Sequence, residues 1–152
     1  MSSPPKANPE LPFETTLMVR DRCLCLHVQR AARALARRFD EALRPHGLTN
    51  GQFSVLMSLN RPEPPPMGPV AALLAMDRTT LTAALKPLER RGLVLITPDL
   101  NDARSRILKL TPKGRKVLTE ALPVWKKTHD DIDREMPGID PESLRKALRA
   151  LS

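Results

Sequence analysis

Leu73-Leu74-Ala75-Met76-Asp77-Arg78-Thr79-Thr80-Leu81-Thr82 is the stretch that decides the fold. A short Ala/Leu-rich run from Val70 to Ala75 predicts a brief helix that stops at a tight turn, Met76-Asp77. Asp77 stands where a helix N-cap belongs, directly before Arg78-Thr79-Thr80-Leu81. Leu81, Leu85 and Leu88 then recur at i, i+4 and i+7 as one apolar stripe. Thr79, Thr82, Ala83, Lys86 and Arg90 fall on the other side. Pro87 removes one backbone bond and bends the last turn, and Gly92 suits the position just past the helix end. Two helices joined this way, the second headed by Arg and Thr, form the pattern of a helix-turn-helix. In that motif the second helix enters the major groove of a duplex with its first residues at the base edges.

Downstream, Leu93-Val94-Leu95-Ile96 predicts a strand, Pro98-Asp99-Leu100-Asn101-Asp102 a turn, and Arg106-Ile107-Leu108-Lys109-Leu110 a returning strand. Asn101, Arg104, Ser105 and Arg106 cluster at the tip of this ribbon. A guanidinium on a thin ribbon suits a narrow minor groove, where the potential is most negative. Asp102 is close enough in sequence to hold Arg104 extended. Thr111-Pro112 then starts a long helix carrying Val117, Leu118, Ala121, Val124, Trp125 and Ile132, kinked at Pro123. Asp140-Pro141-Glu142 starts a last helix with Leu144, Leu148 and Leu151 on one face.

Upstream, Thr49-Asn50-Gly51-Gln52 reads as a capping box opening a helix with Phe53, Leu56, Met57 and Leu59 that runs to about Asn60. Arg61-Pro62-Glu63-Pro64-Pro65-Pro66 reads as a stiff linker, and Pro69 as a first helical residue. Thr16 to Leu43 contains neither Pro nor Gly and predicts one long helix, halted at Arg44-Pro45-His46-Gly47. Residues 1–14, with Pro4, Pro5, Pro9 and Pro12, predict an extended arm.

Composition narrows the partner. The 152 residues suit one domain, and 25 Lys and Arg against 17 Asp and Glu leave a formal charge of +8. Residues 61–120 hold 11 basic against 6 acidic side chains. Such a chain expects polyanions, nucleic acid first and an acidic membrane surface second. Aromatic residues are 3% and tyrosine is absent, so base stacking on aromatic platforms is poorly supplied and a helix reading a duplex fits better. No apolar run reaches the ~18–20 residues of a membrane span. The N-terminus lacks a signal-peptide stretch, so a cytoplasmic, membrane-free setting is expected. A Gly-rich phosphate loop, HExxH and a nucleophile elbow are all missing, so neither an enzyme nor a cofactor is expected.

Taken together, the Leu73–Thr82 block, Leu88-Glu89-Arg90-Arg91-Gly92-Leu93-Val94, Asp102-Ala103-Arg104-Ser105 and Leu110-Thr111-Pro112-Lys113-Gly114 resemble the MarR family of bacterial transcriptional regulators over roughly residues 20–135. The resemblance implies a mainly α fold with a small β-wing, a winged helix-turn-helix plus N- and C-terminal dimerisation helices. The expected map is an arm over 1–15, a dimerisation helix over 16–46, the DNA-binding region over 47–111 and dimerisation helices over 112–152, in one compact domain. It implies a homodimer on a palindromic double-stranded DNA site, a repressor by expectation, often released by a small-molecule or redox signal. Expected DNA contacts are Arg78, Thr79, Thr80, Thr82, Ala83, Lys86 and Arg90 on the reading helix, with Asn101, Asp102, Arg104, Ser105 and Arg106 on the wing. Ala83 departs from the pattern, because many members carry a larger polar side chain there.

Three smaller readings accompany this one. His27, Arg30, Phe53 and Met57 offer a cation and apolar walls for a small acidic or phenolic effector. Cys25 matches the reactive cysteine of the hydroperoxide-sensing branch of the family, although this chain lacks the tyrosines that order that sulfur. Cys23, Cys25 and His27 lie ~200° apart in successive steps on a helix, so no metal site is expected. A winged helix turned to protein contacts, without DNA binding, is the alternative from another class.

Overall fold

The computed structural model describes residues 10–152 and divides the chain into two units, Met1–Ala36 and Arg37–Ser152. Residues 1–9 of the expected arm lie outside the described residues.

In the first unit, helix α1 (Phe13–Arg22) begins inside the region expected to be an arm, with Pro12 as an extended N-cap. The expected single helix is two helices. Cys23 is extended (φ −72°, ψ 103°) and separates α1 from α2 (Leu24–Leu43), which continues into the second unit. Neither Pro nor Gly causes this break; local hydrogen bonds do. The Leu26 N–H donates to Cys23 Sγ at 3.4 Å, as a third helical residue would to a Ser cap. The Cys23 carbonyl accepts from the His27 N–H (3.2 Å) and from His27 Nδ1 (2.7 Å). A continuous helix from Thr16 would forfeit the sulfur cap.

The second unit holds the core. After a 3₁₀ turn at Arg44–His46, Gly47 takes φ +67° and reverses the chain. Helix α3 (Asn50–Ser58) opens with the predicted capping box, Gln52 N–H on Thr49 Oγ1 and Thr49 N–H on Gln52 Oε1, each 3.1 Å. Helix α4 spans Met67–Leu73, three residues earlier than expected, so Pro69 is third in the helix rather than first. Any of the first turn's positions tolerates Pro, because their N–H groups have no helical partner.

Helix α5 (Arg78–Arg90) follows with Asp77 as N-cap, and Gly92 (φ +71°) closes it through Leu93 N–H on Leu88 O and Gly92 N–H on Glu89 O. Strands β1 (Val94–Pro98) and β2 (Arg106–Leu110) pair antiparallel, Val94 opposite Leu110 and Pro98 opposite Arg106. The Arg61–Pro66 segment is more than a linker. The Leu108 N–H donates to Pro65 O at 2.9 Å and Pro66 bridges Ile107, which straps it along β2. Helices α6 (Pro112–Glu135) and α7 (Pro141–Arg149) complete the unit. Leu43, Leu56, Leu81, Leu85, Leu88, Leu93 and Leu108 form the fully buried centre, joining α2, α3, α5, the residue that leads into β1, and β2. The Leu81/85/88 stripe is thus the inward face of α5, and its opposite face is free. Among the described residues no helix is long and apolar enough to cross a membrane.

Candidate nucleic-acid interface

The turn between α4 and α5 is fixed by backbone chemistry. Met76 N–H donates to Ala71 O (2.9 Å) and Ala75 N–H to Ala72 O (3.1 Å), the paired bonds of a Schellman ending. The left-handed residue is Ala75 (φ +50°), where glycine is usual. Asp77 then accepts from the Thr80 N–H at 2.7 Å and from the Thr80 hydroxyl at 3.0 Å. These two bonds hold the Asp77 carboxyl below the ordinary carboxylate range.

This geometry sorts the expected reading residues. Arg78, Thr79, Thr82, Ala83, Lys86 and Arg90 are all exposed on the face opposite the Leu stripe. Thr80 is exposed too, but its hydroxyl proton is engaged by the cap. Thr82 gives its hydroxyl proton to Arg78 O (2.7 Å), with Met67 Sδ at 3.7 Å, which leaves its methyl and oxygen lone pairs outward. A Cβ on Gly68 would sit 3.5 Å from Arg78 Nη2, an ordinary contact distance, so the Arg78 guanidinium lies against the first turn of α4. Sequence spacing gave no hint of that contact.

At the wing, Asp102 acts on the backbone rather than on a side chain, contrary to expectation. Its Oδ1 accepts the Arg104 N–H at 2.9 Å and its carbonyl the Ser105 N–H at 3.0 Å. A short polar side chain bonds its neighbour's N–H more readily than a long guanidinium across solvent. Asp99 Oδ1 likewise accepts the Asn101 N–H (2.9 Å), and Asp99 N–H donates to Ser105 O (3.2 Å). The loop is therefore shaped from within, with Asn101, Arg104 and Arg106 exposed and Ser105 half-buried. Arg78, Lys86, Arg90, Arg104 and Arg106 form no ion pair among the described residues.

The wing is anchored to α6 at Thr111. Its hydroxyl donates to Gly92 O (2.6 Å) and accepts the Gly114 N–H (3.0 Å), while its N–H donates to Leu93 O (3.1 Å). Lys113 Nζ adds a bond to Arg91 O (2.8 Å).

A MarR family model matches residues 48–105. The chain is 31% identical over 144 residues to the transcriptional repressor MprA of Escherichia coli K12, covering 93% of this chain and 78% of that one. It belongs to the MarR family. It is therefore a winged-helix transcriptional regulator and not an enzyme. The transcriptional activatory protein BadR of Rhodopseudomonas palustris is 34% identical over 97 residues, 62% of this chain but only 55% of BadR. Among solved structures, the M. tuberculosis regulator MosR in complex with DNA is 37% identical, covers 86% of this chain and 93% of its own, and superposes with a TM-score of 0.78.

The expected effector residues separate. Phe53 and Met57 share the wall of an open depression of about 270 Å³ with Leu73, Leu74 and Trp125. His27 and Arg30 are not in that lining; they lie exposed on α2 in the first unit. Trp125 belongs to an aromatic cluster not foreseen from sequence. It stacks on Phe53 (centroids 5.6 Å apart, planes within 12°) and lies 4.3 Å from His129, whose ring also meets Phe39 at 4.6 Å. The i, i+4 spacing of Trp125 and His129 was the available signal. Burial lowers the His129 pKa, opposed by Asp133 and Asp130 and aided by Arg145. Cys25 is exposed on α2, and Cys23, half-buried, is the α2 cap.

Proposed function

We propose that this regulator works in the cytoplasm as a homodimer that grips a palindromic duplex operator, represses the gene beside it and lets go when a small acidic or phenolic molecule binds. The observation that carries the DNA reading is the exposed Arg/Thr head of α5, whose Arg78 meets no carboxylate among the described residues, together with a wing tip bearing exposed Arg104. Arg78 suits bidentate bonding to guanine, and the Thr82 methyl suits a thymine methyl. MosR, the 37%-identical relative, has been crystallised with DNA.

Dimerisation is supported by the apolar stripe of α7, where Leu144, Leu148 and Leu151 stay exposed among the described residues of the second unit. Helix α7 buries no residue, and Leu151 just past its end is 67% exposed. An amphipathic helix such as α7 gains stability chiefly against a second body. A twofold dimer presents two copies of α5, which calls for half-sites about one helical turn, ~34 Å, apart. The Phe53/Met57/Trp125 depression supplies the apolar wall an aromatic acid needs. Such a ligand acts only so far as it prefers the dimer spacing that misses the grooves. Repression follows MprA; BadR carries the opposite sign, so a promoter fusion reads which applies here.

The test is fluorescence anisotropy with duplexes from the region upstream of the gene. Specific binding is expected, with log K falling linearly in log salt. Arg104→Ala is expected to weaken it by at least ~1 kcal/mol while light scattering still reports a dimer. Retained affinity in the variant refutes the wing assignment. Failure of the wild type to bind any such duplex refutes the whole reading.

A further inference from the structure

The Arg61–Pro66 strap, β2 and the first turn of α6 enclose a concavity of about 220 Å³ walled by Pro62 and Pro64, with three cations, Arg61, Lys109 and Arg115, around it. No carboxylate is among the residues that line it; Glu63, on the strap between the two prolines, is exposed and makes no ion pair with these cations. We propose that this concavity is a phosphate-binding site, separate from the reading face of α5.

The charges are oriented without being neutralised. Arg61 Nε donates to Ser58 O at 3.0 Å, and Arg115 Nη1 donates to Asn60 Oδ1 at 2.8 Å. Both acceptors are neutral. On α2 and α7, by contrast, Arg38 meets Glu135, Arg145 meets Asp133 and Arg149 meets Glu142, whereas the strap guanidiniums, like those of the reading helix and wing, meet no carboxylate among the described residues. At the strap each guanidinium is instead pinned by one nitrogen, leaving both Nη of Arg61 and the Nε and Nη2 of Arg115 to donate. Lys109 Nζ adds a third donor with no carboxylate partner. Two pinned guanidiniums and the Lys109 ammonium lining one concavity match an oxyanion with several acceptor oxygens, which favours phosphate over a halide. The proline-stiffened wall lowers the entropy lost on binding. A phosphate held there would tie the strap, β2 and α6 together at the base of the wing.

The phosphate can come from a free phosphorylated molecule or from a duplex backbone, and one set of variants separates the two. Inorganic phosphate is titrated into the full chain by calorimetry at fixed ionic strength, with chloride as the blank. Saturable binding at one site per chain is expected. Lys109→Gln is expected to weaken it about tenfold, the loss of one charge-assisted bond. Asn60→Ala, which removes no charge but unpins Arg115, is expected to weaken it several-fold. Lys126→Gln, which removes one charge elsewhere on α6, is expected to leave it unchanged. Lys109 has no structural bond here, so its variant should keep the wild-type melting temperature in chloride. Absence of saturable binding, or an equal loss in Lys126→Gln, overturns the site. The source is read from the salt dependence of duplex binding. A slope smaller by about one in Lys109→Gln assigns the phosphate to DNA, and an unchanged slope with weakened inorganic phosphate binding assigns it to a free molecule. The phosphate titration stands even where no operator binds, so failure of the DNA reading and failure of this site are distinct results.

Discussion

Replacing Gly114 by alanine probes how the wing is seated on α6. A Cβ at this position would lie 2.2 Å from the Leu93 carbonyl oxygen and 2.9 Å from Leu110 Cδ1. The first neighbour is backbone of the residue just before β1 and cannot rotate away. Ordinary contact begins near 3.5 Å, so the first turn of α6 has to retreat by about 1 Å or more. That turn carries the Thr111 bonds to Gly92 O and Leu93 O and the Lys113 bond to Arg91 O. Overpacking of this kind costs ~1–3 kcal/mol, and each loosened hydrogen bond adds up to about 1 kcal/mol. The better helix propensity of alanine returns at most ~1 kcal/mol. The net expectation is a loss of roughly 2–4 kcal/mol, a large part of a domain's typical ~5–15 kcal/mol. Urea denaturation followed by far-UV circular dichroism measures it as a lower midpoint at unchanged slope, and heating as a Tm lower by roughly 6–12 °C. A midpoint within ~0.5 kcal/mol of wild type would show that α6 and β1 separate freely, and the account of the Leu110–Gly114 block would be wrong.

Ala75→Gly is expected to stabilise the chain by up to about 1 kcal/mol, because a left-handed alanine is strained and glycine is not; a urea midpoint no higher than wild type contradicts this. Removing residues 139–152 is expected to abolish the dimer by light scattering, and Leu148→Glu to do so with the helical spectrum retained, since both uncover or charge the α7 stripe. Dimer mass in both variants refutes the assignment of α7 to the interface. The folded-state pKa of His129 is depressed, so the unfolded chain binds its proton more readily. Its contribution is complete above the ordinary imidazole pKa of ~6.5 and is lost as pH falls below it toward the folded value. Stability should therefore decline between neutral pH and mild acid, and His129→Phe should flatten that decline; an identical pH slope in the variant argues against it.

What was legible in the sequence is what local chemistry alone determines. Asp77, Thr49 with Gln52, Thr111 and Asp140 each cap the helix expected of them, because a cap needs only its own next three residues. The Leu81/85/88 stripe turned inward for the same reason: its spacing leaves one solution. The misses all depend on competition or distance. Nothing in the periodicity of Thr16–Leu43 says that a thiol and an imidazole will together outbid one turn of helix at Cys23. Asp102 bonds the Arg104 N–H rather than the expected guanidinium, because sequence proximity does not separate a backbone N–H from a side chain on the same residue. The strap at Pro65–Pro66 reads as a linker until β2, some forty positions later, is seen to bond it.

The net charge of +8 says little by itself, since basic residues serve structure and recognition alike. Pairing tells them apart. On α2, α6 and α7, Arg38, Arg134, Arg145 and Arg149 each meet a carboxylate; Arg38 and Arg149 lower the pKa of Glu135 and Glu142, and Lys127, with Arg134 adding, lowers that of Asp131. Such exposed pairs add little stability, but they cancel field. On α5 and the wing the acids are used differently. Asp77, Asp99 and Asp102 bond backbone N–H groups and a Thr hydroxyl, which shapes helix start and loop while leaving neighbouring guanidiniums without a carboxylate. The same residue type thus neutralises one region and organises the other. A surface whose acids are consumed in building its backbone keeps its positive potential at fixed points, which is what register on a phosphate lattice demands.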